Sequence, residues 1–457
     1  MKEAQSFSLA AFLEGKRLLR QEIPFSDDVL KQHESALQYE EGIVIGSNGK
    51  RCRRCGNEEA DLFADFPCAK CGKSCMYCRN CIMMGRVSEC VSLISWRGEA
   101  KRKAYGGEIL CWSGTLSEGQ QEASNMVVQT VEQKDSCLVW AVCGAGKTEV
   151  LFAGIQKALQ QGERVCIATP RTDVVLELHP RLQQVFPSIP AAALYGGSSD
   201  RYNQAPLVIS TTHQLLRYFR AFDTIIIDEA DAFPYAADEA LQYAVQQARK
   251  EVSSLIYLTA TPNGRWQREA KAGKRKAVVI PARYHRHPLP IPSFIWCGNW
   301  RRLLKKRLLP KPVMRWIQAH LGNRPIFIFV PYIAAIEPVV SILKELDGRI
   351  EGVHAEDRDR KEKVAAFRKG DIPLLATTTI LERGVTVPNL QVGVIGAEEA
   401  IFTESALVQI AGRAGRNAAF PNGDVVYFHY GKTEAMLAAK QHIEKMNRWA
   451  RQKGWIV

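Results

Sequence analysis

The sequence predicts an α/β protein of two tandem lobes, each built on a parallel sheet, preceded by a small cysteine-rich module. Three observations carry that prediction. Short apolar runs rich in Val, Ile and Leu alternate with helix-length segments at 137–142, 164–170, 206–212, 224–230 and 254–261, and the pattern resumes at 325–330, 350–355, 373–379, 392–397 and 424–430. Runs of this kind are strands buried on both faces of a parallel sheet. A Pro-rich basic connector, residues 281–293, separates the two sets. Eight of the 13 cysteines fall between Cys52 and Cys90. A chain of 457 residues is too long for one core and suits three, at roughly 150 residues per domain.

In chain order the expected units begin with an N-terminal segment, 1–48, whose role the sequence does not reveal. A cysteine-rich module follows over 49–104, with a core separate from the lobes. The first lobe spans 105–285 and the second 286–457. Hydrophobic residues at 46% and charged residues at 24% exclude wholesale disorder. The longest charge-free apolar stretches, Pro325–Ile336 and Gly384–Ala397, fall short of the roughly 18 residues a membrane span needs. Glu3 and the lack of an apolar core in the first residues argue against export. A cytoplasmic protein is expected.

Net charge is +13, and it is unevenly placed. Between Lys271 and Lys311 stand 12 Lys or Arg and no acid. Such a block favours a polyanion, of which nucleic acid is the commonest in a cytosol; the alternative is a solvated basic face. Lys274, Arg275 and Lys276 are its densest part. Tyr284, Phe294, Trp296 and Trp300 are interleaved and offer base stacking, with Phe294 and Trp296 equally suited to a core.

The run at 137–142 leads into Cys143-Gly144-Ala145-Gly146-Lys147-Thr148-Glu149 and then a helical pattern. Strand, glycine-rich turn, Lys-Thr and helix form a phosphate cradle. The glycines let backbone N–H groups approach phosphate, Lys147 reaches the β- and γ-phosphates, and Thr148 ligates Mg²⁺. Ala141 stands where the strict pattern has glycine. Downstream, Asp228-Glu229-Ala230-Asp231 ends an apolar strand, placing two acids at the lip of the sheet. Asp228 there suits Mg²⁺ and Glu229 suits the attacking water.

Cys52/Cys55 and Cys68/Cys71 each lie in a CxxCG knuckle, whose spacing turns both thiolates toward one tetrahedral metal. Cys75, Cys78 and Cys81 then repeat every three residues, so the second pair of a site is Cys75/Cys78 or Cys78/Cys81. The preferred set is Cys52, Cys55, Cys78 and Cys81, leaving Cys68, Cys71, Cys75 and Cys90 for a second, interleaved site. Four thiolates suit zinc or an iron–sulfur cluster, and nothing else in the sequence points to redox chemistry, so zinc is preferred. Cys111, Cys137, Cys143, Cys166 and Cys297 are expected to pack as small hydrophobes.

Over roughly residues 112–430 the chain resembles superfamily 2 helicases, with the motifs in order. Leu116–Gln120 looks like the segment whose Gln120 reads adenine. Ala168–Arg171 and Ser210–Gln214 look like strand-contacting motifs of the first lobe. Thr259–Pro262 looks like the segment coupling hydrolysis to lobe movement. Gly352–His354 with Arg360 and Phe367, Ala376–Val385, and Gln409–Arg416 complete the second lobe. The resemblance implies two RecA-like lobes, an ATPase using Mg²⁺, nucleotide contacts from Gln120 and from 144–149, and strand contacts from Arg171, Thr212 and Thr378. It makes Arg413 and Arg416 the arginines that stabilise the transferring phosphoryl group when the lobes close.

The cysteine module ahead of this core narrows the likeness. It resembles PriA and, more closely, the ComFA family of late competence proteins, on Cys52–Gly56, Tyr77–Cys81 and Gly85–Val87. That resemblance implies an ATP-driven motor on single-stranded DNA for uptake of transforming DNA, beside the inner face of the cytoplasmic membrane. It also implies the partners ComFC, DprA and the import channel ComEC, and leaves a homo-oligomer open. The rivals are a restart or RNA helicase, and a zinc-ribbon adaptor using ATP only as a switch.

Overall fold

The computed structural model describes residues 8–46, 49–98, 103–382 and 386–456. Arg383, Gly384 and Val385, the end of one second-lobe motif, lie outside the described residues.

All ten apolar runs are strands. The first lobe holds a seven-stranded parallel sheet ordered Ala191–Leu194, Leu207–Thr211, Val165–Thr169, Phe222–Ile227, Arg249–Thr259, Ser136–Ala141, Ala277–Ile280. The second lobe holds a six-stranded parallel sheet ordered Ser293–Trp296, Val425–His429, Gln391–Ile395, Ile326–Phe329, Leu374–Thr377, Glu351–Val353. The central strands are buried along their whole length, as Val165–Thr169 and Phe222–Ile227 show. This is why their sequences lack the polar alternation of a half-exposed strand.

The two ends of the basic connector are themselves strands. Ala277–Ile280 pairs with Ser136–Ala141, and Ser293–Trp296 pairs with Val425–His429. Much of the basic block has structural partners. Arg275 pairs with Glu269 at 2.8 Å and stacks over Trp266 at 4.8 Å, and Lys276 pairs with Asp135 at 2.6 Å. Glu269 lies just outside the acid-free window, and Asp135 stands just before strand Ser136–Ala141. Lys274 is exposed. Of the interleaved aromatics, Trp300 is buried, Phe294 stacks on Tyr427, and Tyr284 and Trp296 are exposed.

Residues 1–48 do not stand apart from the cysteine module. Arg17–Leu19, Ser92–Trp96 and Leu37–Glu41 form one antiparallel sheet, with Ile94 opposite both Leu18 and Tyr39. Two hairpins, Ile43–Gly46 with Gly49–Cys52 and Phe63–Pro67 with Ser74–Cys78, bring the cysteines together.

The module's core is also not separate, contrary to the expectation from sequence. Cys52, Cys55, Cys78 and Cys81 share one apolar cluster with Phe222, Tyr235, Leu241 and Val245 of the first lobe. Gly56 rests on the Tyr243 ring, where a Cβ would come within 2.7 Å. Around this seam Glu22 bonds the buried Arg54 and pairs with Arg217 at 2.8 Å.

The C-terminal helix Glu434–Gln452 packs on helix Glu404–Ala411 of the second lobe, where His442 meets Glu404 at 3.0 Å, and also reaches the first lobe. Trp449 and His442 each meet Trp140 edge-on at 5.8 Å. Trp455 Nε1 donates to Glu118 at 3.1 Å, and its ring covers Gly119. The C-terminal segment thereby ties the second lobe to the first.

Candidate nucleotide site and metal centres

Strand Ser136–Ala141 delivers the loop 143–148 at its carboxyl end, and the chain turns through Glu149–Leu151 into helix Phe152–Gln160. Gly144 and Gly146 take φ +80° and +71°, a region that disfavours side chains. Gln120 is buried, and its Nε2 donates to the Ala145 carbonyl at 2.9 Å and the Gly146 carbonyl at 3.4 Å. Its Oε1 accepts from the Ser117 backbone, closing a capping box. Gln120 is thus placed on the loop backbone itself. Arg181 is a further contact: it donates to Thr148 Oγ1 at 3.3 Å and bonds Glu149.

Asp228 and Glu229 follow strand Phe222–Ile227. The Asp228 backbone donates to the Ala168 carbonyl, and the Glu229 backbone donates to Asp228 Oδ1 at 2.9 Å. Glu229 has φ +60°, a strained conformation for a residue with a Cβ, of the kind concentrated at functional sites. Asp231 accepts from Thr259 at 2.7 Å, Thr261 at 2.6 Å and, across the cleft, Ser405 at 2.6 Å. Ser405 carries no signal in the sequence, because its role depends on the second lobe standing where it does.

The second lobe closes the site through helix Glu404–Ala411 and the turn after it. Cys143 Sγ donates to Gln409 Oε1 at 2.9 Å, while Gln409 Nε2 is buried with no hydrogen-bond partner among the described residues. Arg413 is buried and donates from Nε to the Glu382 carbonyl at 2.6 Å. Burial, then the charge of Arg416, push its pKa well below the usual arginine value. Arg416 is half-buried and donates to the Gly412 carbonyl at 2.9 Å. Buried cations gathered at a glycine loop attract a polyanion strongly.

The expected strand-contacting residues are placed less uniformly. Arg171 is mostly buried, paired with Asp173 at 3.1 Å and bonded to the Ile380 carbonyl of the other lobe. Arg360 reaches the same Asp173 at 3.4 Å. Thr378 is half-buried beyond the end of strand Leu374–Thr377. Thr212 is fully buried, so its hydroxyl faces the interior.

The cysteines fall into two groups. The thiol sulfurs of Cys52, Cys55, Cys78 and Cys81 lie within 4.8 Å of one another, as do those of Cys68, Cys71, Cys75 and Cys90. The first group is wholly buried, and hydrogen bonds from Cys52, Cys55 and Cys81 hold the Cys78 thiol far below its ordinary value. The second is more open, with Cys71 exposed. Four convergent thiols fit a tetrahedral metal. Of the scattered cysteines four are buried, and Cys111 is exposed.

Fold and site together define an ATP-hydrolysing superfamily 2 helicase or translocase. A family model for the res subunit of type III restriction enzymes matches residues 113–264, and one for the conserved C-terminal domain of helicases matches 310–418. Among solved structures, yeast (S. cerevisiae) Dbp5 bound to RNA and ADP–BeF3 aligns with TM-score 0.52 and 15% identity, over 72% of this chain and 91% of that one. Mss116 bound to single-stranded RNA and AMP-PNP gives 0.54 and 17%, over 69% and 70%. These likenesses establish the fold.

A model of the ComFA N-terminal domain matches residues 2–95, in keeping with the sheet that joins residue 17 to residue 96. Competence protein ComFA of Bacillus subtilis is 53% identical over 450 residues, 97% of this chain and 96% of that protein. Its counterpart in Streptococcus pneumoniae is 40% identical over 377 residues, 82% and 86% of the two. The chain belongs to the ComFA family.

Proposed function

We propose that the chain is an ATP-driven translocase on single-stranded DNA that powers uptake of transforming DNA in natural competence. One observation carries the reading: Gln409 and Gly412 of the second lobe meet Cys143 of the first lobe's phosphate loop, beside Arg413. Turnover in such a site depends on lobe position, and that dependence couples hydrolysis to movement along a strand. Lys147 and the backbone of 144–148 hold the triphosphate, Glu229 orients water, and Arg413 and Arg416 stabilise charge on the transferring phosphoryl group. Thr148 and Asp228 would hold Mg²⁺, which neutralises phosphate charge.

Cys52, Cys55, Cys78 and Cys81 would hold a zinc ion that fastens the module to the first lobe. Cys68, Cys71, Cys75 and Cys90 would hold a second. Arg171 and Thr378 flank the strand path, with Lys274 contributing charge from the connector. No helix among the described residues is long and apolar enough to cross a membrane. The reading places the chain beside the import channel ComEC at the inner face of the cytoplasmic membrane, with ComFC and DprA as further partners.

The test is ATP turnover with single-stranded DNA, duplex DNA and RNA side by side. Strongest stimulation by single-stranded DNA supports the reading. Equal stimulation by RNA favours an RNA helicase, and slow turnover unchanged by any polymer favours a nucleotide switch.

A further inference from the structure

Arg283 lies in the connector, outside every motif of the resemblance, yet its side chain is almost completely buried. It runs along the phosphate loop: a Cβ built on Gly144 would lie 3.6 Å from Arg283 Cγ and 3.9 Å from Nε. Its guanidinium reaches the second lobe, where Nη2 donates to the Ala414 carbonyl at 2.8 Å and Nη1 to the Gly415 carbonyl. Two neighbours reinforce the grip. The Tyr284 backbone donates to the Gly144 carbonyl at 3.1 Å, and His285 Nε2 bonds the Gly415 carbonyl at 3.1 Å.

Ala414 and Gly415 are the two residues between Arg413 and Arg416. Their carbonyls lie just past helix Glu404–Ala411, at the negative end of its dipole, where a guanidinium is favoured. The turn is shaped around this contact. Gly415 has φ +64°, and a Cβ there would meet the Pro421 carbonyl at 2.1 Å and Arg283 Nη1 at 3.0 Å.

No carboxylate forms a salt bridge with Arg283 among the described residues, and its Nε is buried without a hydrogen-bond partner there. Burial, then Arg416, lower its pKa to about 10. Holding a cation in such a place is unfavourable, and simple packing is served better by an apolar side chain. What arginine alone supplies is a rigid fork with two donors aimed at two acceptors.

We propose that Arg283 is a positioning residue for ATP hydrolysis, gripping Ala414 and Gly415 against the phosphate loop and so setting how Arg413 and Arg416 approach the nucleotide. This rests on the role given to those two arginines under Proposed function.

The experiment compares the full chain with Arg283→Gln, Arg283→Lys, Arg416→Gln and the Arg283→Gln/Arg416→Gln double variant. DNA-stimulated turnover, affinity for a fluorescent ATP analogue and thermal melting are measured on each. Arg283→Gln is expected to lose about tenfold or more in kcat, with analogue affinity within about twofold of wild type. Arg283→Lys regains part of the loss, and the double variant loses clearly less than the product of the two single losses, because Arg416 is one of the two arginines that Arg283 positions. Independent, multiplying losses in the double variant overturn the proposal, as does wild-type kcat in Arg283→Gln beside a slow Arg416→Gln. Wild-type turnover in Arg416→Gln removes the underlying arginine reading as well. If Arg283→Gln melts early, Arg283→Lys decides: a well-folded lysine variant with full kcat overturns the proposal.

Discussion

Two lysines show how differently one residue type is used in this chain. Lys147 is half-buried in the phosphate loop, and in the proposed function its partner is the nucleotide. Lys147→Ala should therefore lower DNA-stimulated turnover by about a hundredfold, roughly 2.7 kcal/mol of transition-state stabilisation. Glu229→Gln should lose as much while still binding a fluorescent ATP analogue, because the change leaves the loop intact. Steady-state rates and analogue titration check both. Lys16 is buried against the first lobe, donating to the Arg201 carbonyl at 3.1 Å with its ammonium 4.4 Å from the Phe12 ring. Burial, then the charges of Arg164 and Arg217, lower its pKa to about 7. In the unfolded chain it keeps its proton to about 10.4. Between these values the unfolded state binds more protons, so stability should rise with pH from about 7 toward 10. Below about 7 the full destabilisation is present. Melting curves across that range should show the rise in wild type and a shallower one in Lys16→Met.

At the scale of elements, most of the fold is legible because buried parallel strands have a distinctive composition. Val165–Thr169 and Phe222–Ile227 are five and six residues of unbroken burial. In the two lobes, the strands that escape sequence reading lie at the sheet edges. Ala191–Leu194 is an alanine run, while Ala277–Ile280 and Ser293–Trp296 lie at the borders of a connector whose charges and prolines mask them. Motif residues in the site were legible for a similar reason: a phosphate loop is local in sequence. Arg181, Arg283 and Ser405 were not, since each matters only through a neighbour brought by another element. The cysteine pairing was legible in its ligand sets, but the packing of the first set on the lobe was not.

That packing changes what a cysteine substitution should do. Cys52→Ser should release metal and also destabilise the first lobe, lowering its melting temperature, because the thiols share a cluster with Phe222 and Leu241. Cys71→Ser, at the exposed end of the second group, should disturb only its own hairpin. Metal analysis should return about two zinc ions per wild-type chain, and about one from Cys71→Ser. No metal in protein purified without chelator would refute both sites.

Across the whole molecule, the +13 charge is less available than its clustering suggests. Arg275 and Lys276 are paired with Glu269 and Asp135, Arg301 with Glu399, and Arg283 is buried. Neutralising Lys274, Arg275 and Lys276 together should therefore flatten the salt dependence of single-strand binding by about 0.7, one phosphate's worth, and not by the two units that three free charges would allow. Titrations at several salt concentrations measure this slope, and ATPase without DNA should stay at the wild-type rate.

The account turns on one ATP site built from two lobes, and Arg413→Lys tests that most directly. The substitution keeps the positive charge but removes the planar guanidinium, whose several donors a lysine does not reproduce. Single-turnover hydrolysis on single-stranded DNA should fall at least about tenfold, roughly 1.4 kcal/mol, with ATP-analogue affinity unchanged. Hydrolysis at the wild-type rate would contradict the account, because Arg413, the buried arginine the second lobe brings to the site, would then add nothing to the chemistry.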